Sequence, residues 1–154
     1  MPMTAEQYFQ VTNTLALAAW IVLVALPGRR IVSGMLCGIA VPAVLAASYV
    51  AVIGWKIASG GPPPEDVMTL AGLQQVFTDP WAFAGAWTHY LAFDMVVGAW
   101  IARDAVRLEI PWPLRTVSLL LTFLAGPAGF LIHVIGRFLL RRQLAADAGP
   151  PRPH

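Results

Sequence analysis

The chain has 154 residues, 58% of them hydrophobic and 12% charged, with a mean hydropathy of +0.67. Soluble domains carry about 25% charged residues, so this composition is that of an integral membrane protein with room for one compact bundle and no separate soluble domain. The net charge of +2 and the pI near 9.1 do not indicate nucleic acid, because the arginines stand at the ends of apolar runs and no basic stripe carries interleaved aromatics.

The leading segment MPMTAEQYFQ contains Glu6 and no basic residue, so the first apolar run is expected to be a retained helix and not a signal peptide. It spans about residues 8–26 and stops at Pro27-Gly28, with Arg29 and Arg30 at a membrane edge. A second helix is predicted over 31–57. At 1.5 Å per residue it is about 40 Å long, so tilt or a bend at Pro42 is expected. Gly and Pro then break the pattern after Ser59. Helical spacing returns at Val67, Leu70, Leu73 and Phe77, which reads as a loop and a short interfacial helix.

The third membrane helix is placed at 81–101, a charged connector at 102–113, and the fourth helix at 114–140, with a break or kink at Gly126-Pro127. The predicted fold class is therefore all-α: a polytopic bundle of four transmembrane helices plus the interfacial helix, forming one domain over 1–143 with a disordered Pro-rich tail over 144–154. If all four segments span, the basic residues divide evenly between the two sides and orientation is undecided. A re-entrant last segment, turning at Gly126-Pro127, would return the C-terminal arginines to the side of Arg115; the kinked spanning helix is the favoured expectation.

The third helix carries His89 and Asp94 well inside an apolar stretch, and a carboxylate there costs about 2.5–3.5 kcal/mol even on lenient insertion scales. Tyr90, Asp94 and Gly98 follow one another at i, i+4 on one face, whereas His89 lies about 140° around the helix from Asp94. On the last helix Gly126, Gly129, His133 and Gly136 form a stripe that lets another helix approach closely. Contact between the two faces would bring Asp94 to His133, making Asp94, His89 and His133 the candidate acid–base residues. The structural alternative for both histidines is interhelical hydrogen bonding. Gly98, Gly126, Pro127 and Gly129 read as packing positions, as do Gly34 and Gly38. Asn13, alone among apolar residues of the first helix, is a hydrogen-bonding or substrate-binding position, with Tyr90 as a second substrate-binding candidate.

Cys37 is single, which excludes an intrachain disulfide and a paired-thiol site. No HExxH or CxxC spacing is present, so neither a metal nor another cofactor is expected. Nucleophile-elbow and phosphate-loop motifs are also missing.

The stretches HYLAFDMVVGAWIARDA and LTFLAGPAGFLIHVIGR, with NTLALAAWIVLVALP before them, resemble the abscisic-acid-deficient-four-like family of small multi-helix membrane proteins. Plant members are implicated in forming neoxanthin from violaxanthin, an epoxide-to-allene isomerisation of a carotenoid. The resemblance carries over His89, Asp94, Trp100, Asp104, Gly126, Pro127, Gly129 and His133, and so adds Trp100 and Asp104 to the substrate-binding candidates. Many relatives have Arg where this chain has Ala99. The brevity of the chain and the lack of a transit peptide point to the inner membrane of a bacterium and away from a plant-specific substrate.

Three functions follow as expectations: a carotenoid or isoprenoid isomerase, a non-catalytic carotenoid- or lipid-binding protein or partner subunit, and a proton or ion pathway. The partners implied are membrane lipid and an isoprenoid, with a homo-oligomer or a membrane enzyme as further partner classes.

Overall fold

A computed structural model describes residues 3–60 and 67–142; the expected tail over 144–154 and part of the loop after Ser59 lie outside these. The elements are α1 (Ala5–Ala25), α2 (Ile31–Ala58), α3 (Leu70–Val76), α4 (Pro80–Arg107) and α5 (Trp112–Arg141), so the all-α class stands for the described residues. Thr4 caps α1 in a reciprocal capping box with Gln7. Thr69 caps α3 and Asp79 caps α4, each accepting from the first turn.

Three helices are long and apolar enough to cross a membrane: α1, α2 and α5. The fourth expected span, α4, is long enough at 28 residues but less apolar. Its position explains the difference. It packs against α1, α2 and α5, and its side chains Leu91, Ala92, Met95, Ala99, Ile101 and Ala102 form the centre of the core with Trp20, Leu23, Cys37, Leu45 and Leu119. A helix enclosed by protein need not present hydrocarbon-compatible side chains on every face. The outer helices do: Ile21, Ile39, Leu124 and Leu139 are each more than 60% exposed, a distribution suited to lipid and not to water.

The expected bend at Pro42 takes another form. Residues Ile31–Ala40 are wound as a π-helix, and the α-helical part of α2 begins at Val41 with Pro42 in its first turn. Pro42 lacks an N–H and crowds the carbonyl four residues earlier; widening the helix in front of it relieves both problems. Arg103 of α4 reaches into this segment and donates to the Ser33 carbonyl beside Gly38. Such long π-segments are rare.

The main correction concerns α5. The favoured expectation was a kinked spanning helix, but the backbone at Ala125 (φ −155°, ψ 57°) leaves the helical region and the chain doubles back. The second arm, 126–141, lies alongside the first, 112–124. A Cβ on Gly129 would collide with the Ser118 carbonyl and Thr122, and one on Gly136 would meet Leu114. In a continuous helix Gly136 and Leu114 would stand about 33 Å apart. Arg141 also reaches back to the Glu109 carbonyl at 2.7 Å, 32 residues earlier. The segment is a re-entrant hairpin. Two boundaries shift as well: α4 continues through the expected connector to Arg107, and α5 starts at Trp112.

Candidate functional site

Folding α5 back delivers its two ends to two different levels of α4. At the tip, Gly126 begins the second arm with Pro127 in its first turn, where the missing N–H of proline costs nothing. Asp94, midway along α4, points its carboxylate straight at Gly126. A Cβ there would stand 3.0 Å from Asp94 Cγ and closer still to Oδ1. Only glycine admits this approach. Asp94 is 9% exposed, and its Oδ2 is buried without a hydrogen-bond partner. The Tyr90 hydroxyl stands close to the Asp94 carboxylate and to the Gly126 N–H. The Tyr90 ring stacks on Trp87 (centroids 5.6 Å, 29°), and Phe9 of α1 flanks Trp87 at 5.9 Å. Asn13 holds this corner from α1: its Oδ1 accepts from Trp87 Nε1 at 3.0 Å, while its Nδ2 donates to the Phe9 carbonyl.

About 15 Å further along α4, Asp104 makes a second polar cluster. His133 Nε2 lies 2.9 Å and Arg137 Nε 3.2 Å from its Oδ2, and Arg107 Nη2 donates to Oδ1 at 2.8 Å. Asp104, His133 and Arg137 are all buried. Trp100 covers the cluster, edge-on to His133 at 5.3 Å and with the Arg137 guanidinium 5.6 Å from its ring centroid. His133 and Arg137 thus pin the second arm of α5 to α4, while Arg107 of α4 itself holds the other carboxylate oxygen.

The residues singled out in the sequence therefore sort into separate places. Asp94, Tyr90 and Gly126 come together. His133 does not join them; it pairs with Asp104, and the anticipated Asp94–His133 contact is replaced by Asp94–Tyr90. His89 is exposed on the outer face of α4 between the rings of Tyr49 (5.4 Å) and Phe93 (4.7 Å). Gly98 receives the Trp20 ring of α1 and not the glycine stripe of α5, and Gly129 packs inside the hairpin. Asn13 and Trp100 stand beside the first and second clusters respectively. Ala99 is fully buried, so that position sends no cation toward Asp94. No group of three or more His, Cys, Asp or Glu side chains with metal-binding geometry occurs among the described residues.

The reading from sequence missed Trp87 and the pairing of Arg137 with Asp104. The spacing of His133 and Arg137 at i, i+4 was visible, but its target depended on the reversal at Ala125.

An apolar exterior around an all-helical core, with ionisable side chains turned inward, defines the class of small helical proteins built for an apolar environment. The chain belongs to the ABA DEFICIENT 4-like family, whose model matches residues 7–133, a span that includes Tyr90, Asp94, Asp104, His133 and the hairpin tip but stops short of Arg137. No curated protein and no solved structure matches it.

Proposed function

We propose that this chain is an integral membrane protein that isomerises a carotenoid or related isoprenoid by acid–base chemistry at Asp94 and Tyr90. The observation that carries the reading is the buried, unpartnered Asp94 Oδ2 beside the Tyr90 hydroxyl at the break in α5. Epoxide opening to an allene needs a base to take a carbon-bound proton and an acid to protonate the released oxygen. Asp94 serves as the base and Tyr90 as the acid. The proton gained by Asp94 then returns to the neighbouring Tyr90 phenolate, so the site resets without exchanging protons with bulk water. His133 and Asp104 hold the hairpin in place in this reading, and His89 lies on the outer face.

The hairpin also supports an orientation. It gathers Arg29, Arg30, Arg103, Arg107, Arg115, Arg137, Arg141 and Arg142 at one end, while Lys56, paired with Asp79 at 2.5 Å, stands at the other. The even division anticipated for four spans gives way to a one-sided one. By the positive-inside rule the arginine end is cytoplasmic and α1 starts outside.

Buried Ala99, where many relatives carry Arg, favours a second reading in which the protein binds a pigment without converting it. Expressing Asp94→Asn and Tyr90→Phe in a carotenoid-producing host, with pigments separated by chromatography, decides between the two. The isomerase reading expects the wild type to alter the pigment profile and both variants to lose that change at equal protein level. An unaltered profile in Asp94→Asn relative to wild type would sink it.

A further inference from the structure

We propose that the open end of the α5 hairpin is a site for the phosphate headgroup of an anionic phospholipid, held by Arg115 of the first arm and Arg141 of the second. The proposal rests on the membrane reading above and not on the isomerase chemistry. Reversal at Ala125 returns Arg137, Arg141 and Arg142 to the end that already holds Arg107 and Arg115. Asp104 and Glu109 are the carboxylates at this end among the described residues. Asp104 is buried and shared by Arg107, His133 and Arg137. Glu109 is largely exposed, and its carboxylate stands 3.9 Å from Arg141. No acidic side chain among the described residues pairs with Arg115 or Arg142. Folding α5 back thus concentrates positive charge faster than the chain neutralises it.

Arg115 is half-buried, and its Nε–H is enclosed without a hydrogen-bond acceptor. Enclosing a guanidinium donor is costly unless an acceptor meets it, and a planar guanidinium fork matches two phosphate oxygens best. The register of the hairpin brings Arg141 to the same place. Its Nη2 donates to the Glu109 carbonyl in the turn between α4 and α5, and Arg115 stands one helical turn past that turn, its N–H bonded to the Pro111 carbonyl. The neighbouring surface selects a lipid over a soluble anion. Trp112 is exposed at the first position of α5, and Phe138, Leu139 and Leu140 are exposed in the turn before Arg141. An indole favours the headgroup level of a bilayer, and exposed apolar side chains beside it suit acyl chains. Guanidinium groups next to exposed apolar ones match the phosphate and acyl parts of one phospholipid. The cytoplasmic leaflet, to which the arginine end is assigned, carries the anionic ones.

The test is native mass spectrometry of the purified full chain, titrated in detergent with phosphatidylglycerol and phosphatidylcholine of identical acyl chains. Each interfacial arginine favours an anionic lipid by about fivefold, so the wild type is expected to prefer phosphatidylglycerol by about 25-fold. Arg115→Gln combined with Arg141→Gln is expected to remove most of that preference. Arg29→Gln combined with Arg30→Gln deletes the same charge from the same end and is expected to keep most of it. Equal loss in the two pairs overturns a defined site and leaves a diffuse attraction. Arg115→Lys combined with Arg141→Lys keeps the charge, loses the planar fork and is expected to lie between wild type and the glutamine pair. Should the glutamine pair fail to fold, judged by thermal unfolding, the lysine pair decides alone, and a preference equal to that of the wild type overturns the site. Equal binding of the two lipids by the wild type overturns the proposal and leaves the membrane reading standing. Inorganic phosphate at the lipid's concentration is expected not to displace it; displacement overturns the lipid in favour of a soluble anion. A chain that stays soluble without detergent overturns the membrane reading itself.

Discussion

Asp94 and Asp104 are the same residue type on one face-rich central helix, about three turns apart, and their surroundings are opposite. Both oxygens of Asp104 are engaged by cationic or imidazole partners: His133 and Arg137 of the second arm of α5 on Oδ2, and Arg107 of α4 itself on Oδ1. Asp94 has a glycine against one oxygen, a tyrosine hydroxyl nearby and nothing on the other. A carboxylate saturated by fixed partners stabilises a fold; one left partly unsatisfied in an apolar setting is available to a ligand. The comparison also shows how the two depend on each other. The Asp104 cluster fastens the returning arm, and the returning arm places Gly126 against Asp94.

The strongest way to break this contrast is Asp104→Ala. It leaves Arg137 buried without its carboxylate, and losing one member of a buried pair costs about 3–5 kcal/mol. A large drop in thermal unfolding temperature in detergent is expected, with new proteolytic sensitivity in the second arm of α5. Asp94→Asn should do the reverse. Its volume is unchanged and it breaks no ion pair, so the melting temperature is expected to hold, while conversion falls by about 100- to 10,000-fold, the usual contribution of a general acid–base group. A stable Asp104→Ala or an unfolded Asp94→Asn would reverse the assignment.

Gly129→Ala sharpens the geometric side of the same contrast. The added methyl would strike the Ser118 carbonyl and Thr122, an overpacking worth about 1–3 kcal/mol, and unfolding of the variant in mild denaturant measures it. The smallest effect lies at the opposite end. Burial raises the Asp79 pKa, but the hydrogen bond from Lys56 and the backbone N–H groups of Ala82 and Trp81 outweigh it, so the carboxyl sits below its usual range. A depressed folded pKa gives stability that is present above the unfolded value, about 3.9, and is lost as pH falls through the folded value. The pair is partly exposed, so less than about 1 kcal/mol is expected. Melting temperatures at pH 6 and below pH 4 should differ less in Asp79→Asn than in the wild type.

Much of this was legible in the chain. Apolar runs ended by Pro-Gly or arginine located the helices, and the price of a carboxylate in hydrocarbon singled out Asp94. Gly126, part of the glycine stripe, stands against Asp94. The rest depended on one residue. Gly126-Pro127 can kink a helix or reverse it, and local composition is apolar in either case, so the conformation of Ala125 could not be read locally. With that undecided, His133 could not be assigned to Asp104, which lies 29 residues away in sequence, and Gly129 was credited to a neighbouring helix when it serves its own hairpin. One signal did favour reversal: it alone removes the even division of arginines between the two sides. The π-helical start of α2 had no comparable signal beyond Pro42.

The reversal at Ala125 is the step on which both clusters depend, and cross-linking tests it most directly. With Cys37 replaced by Ala and cysteines introduced as Leu114→Cys and Gly136→Cys, a short bifunctional methanethiosulfonate should join the two positions within one chain, seen as a single linked peptide pair by mass spectrometry. A kinked spanning helix would hold them about 30 Å apart; a chain that labels at both cysteines but never links them would contradict the hairpin and, with it, the placement of Gly126 at Asp94.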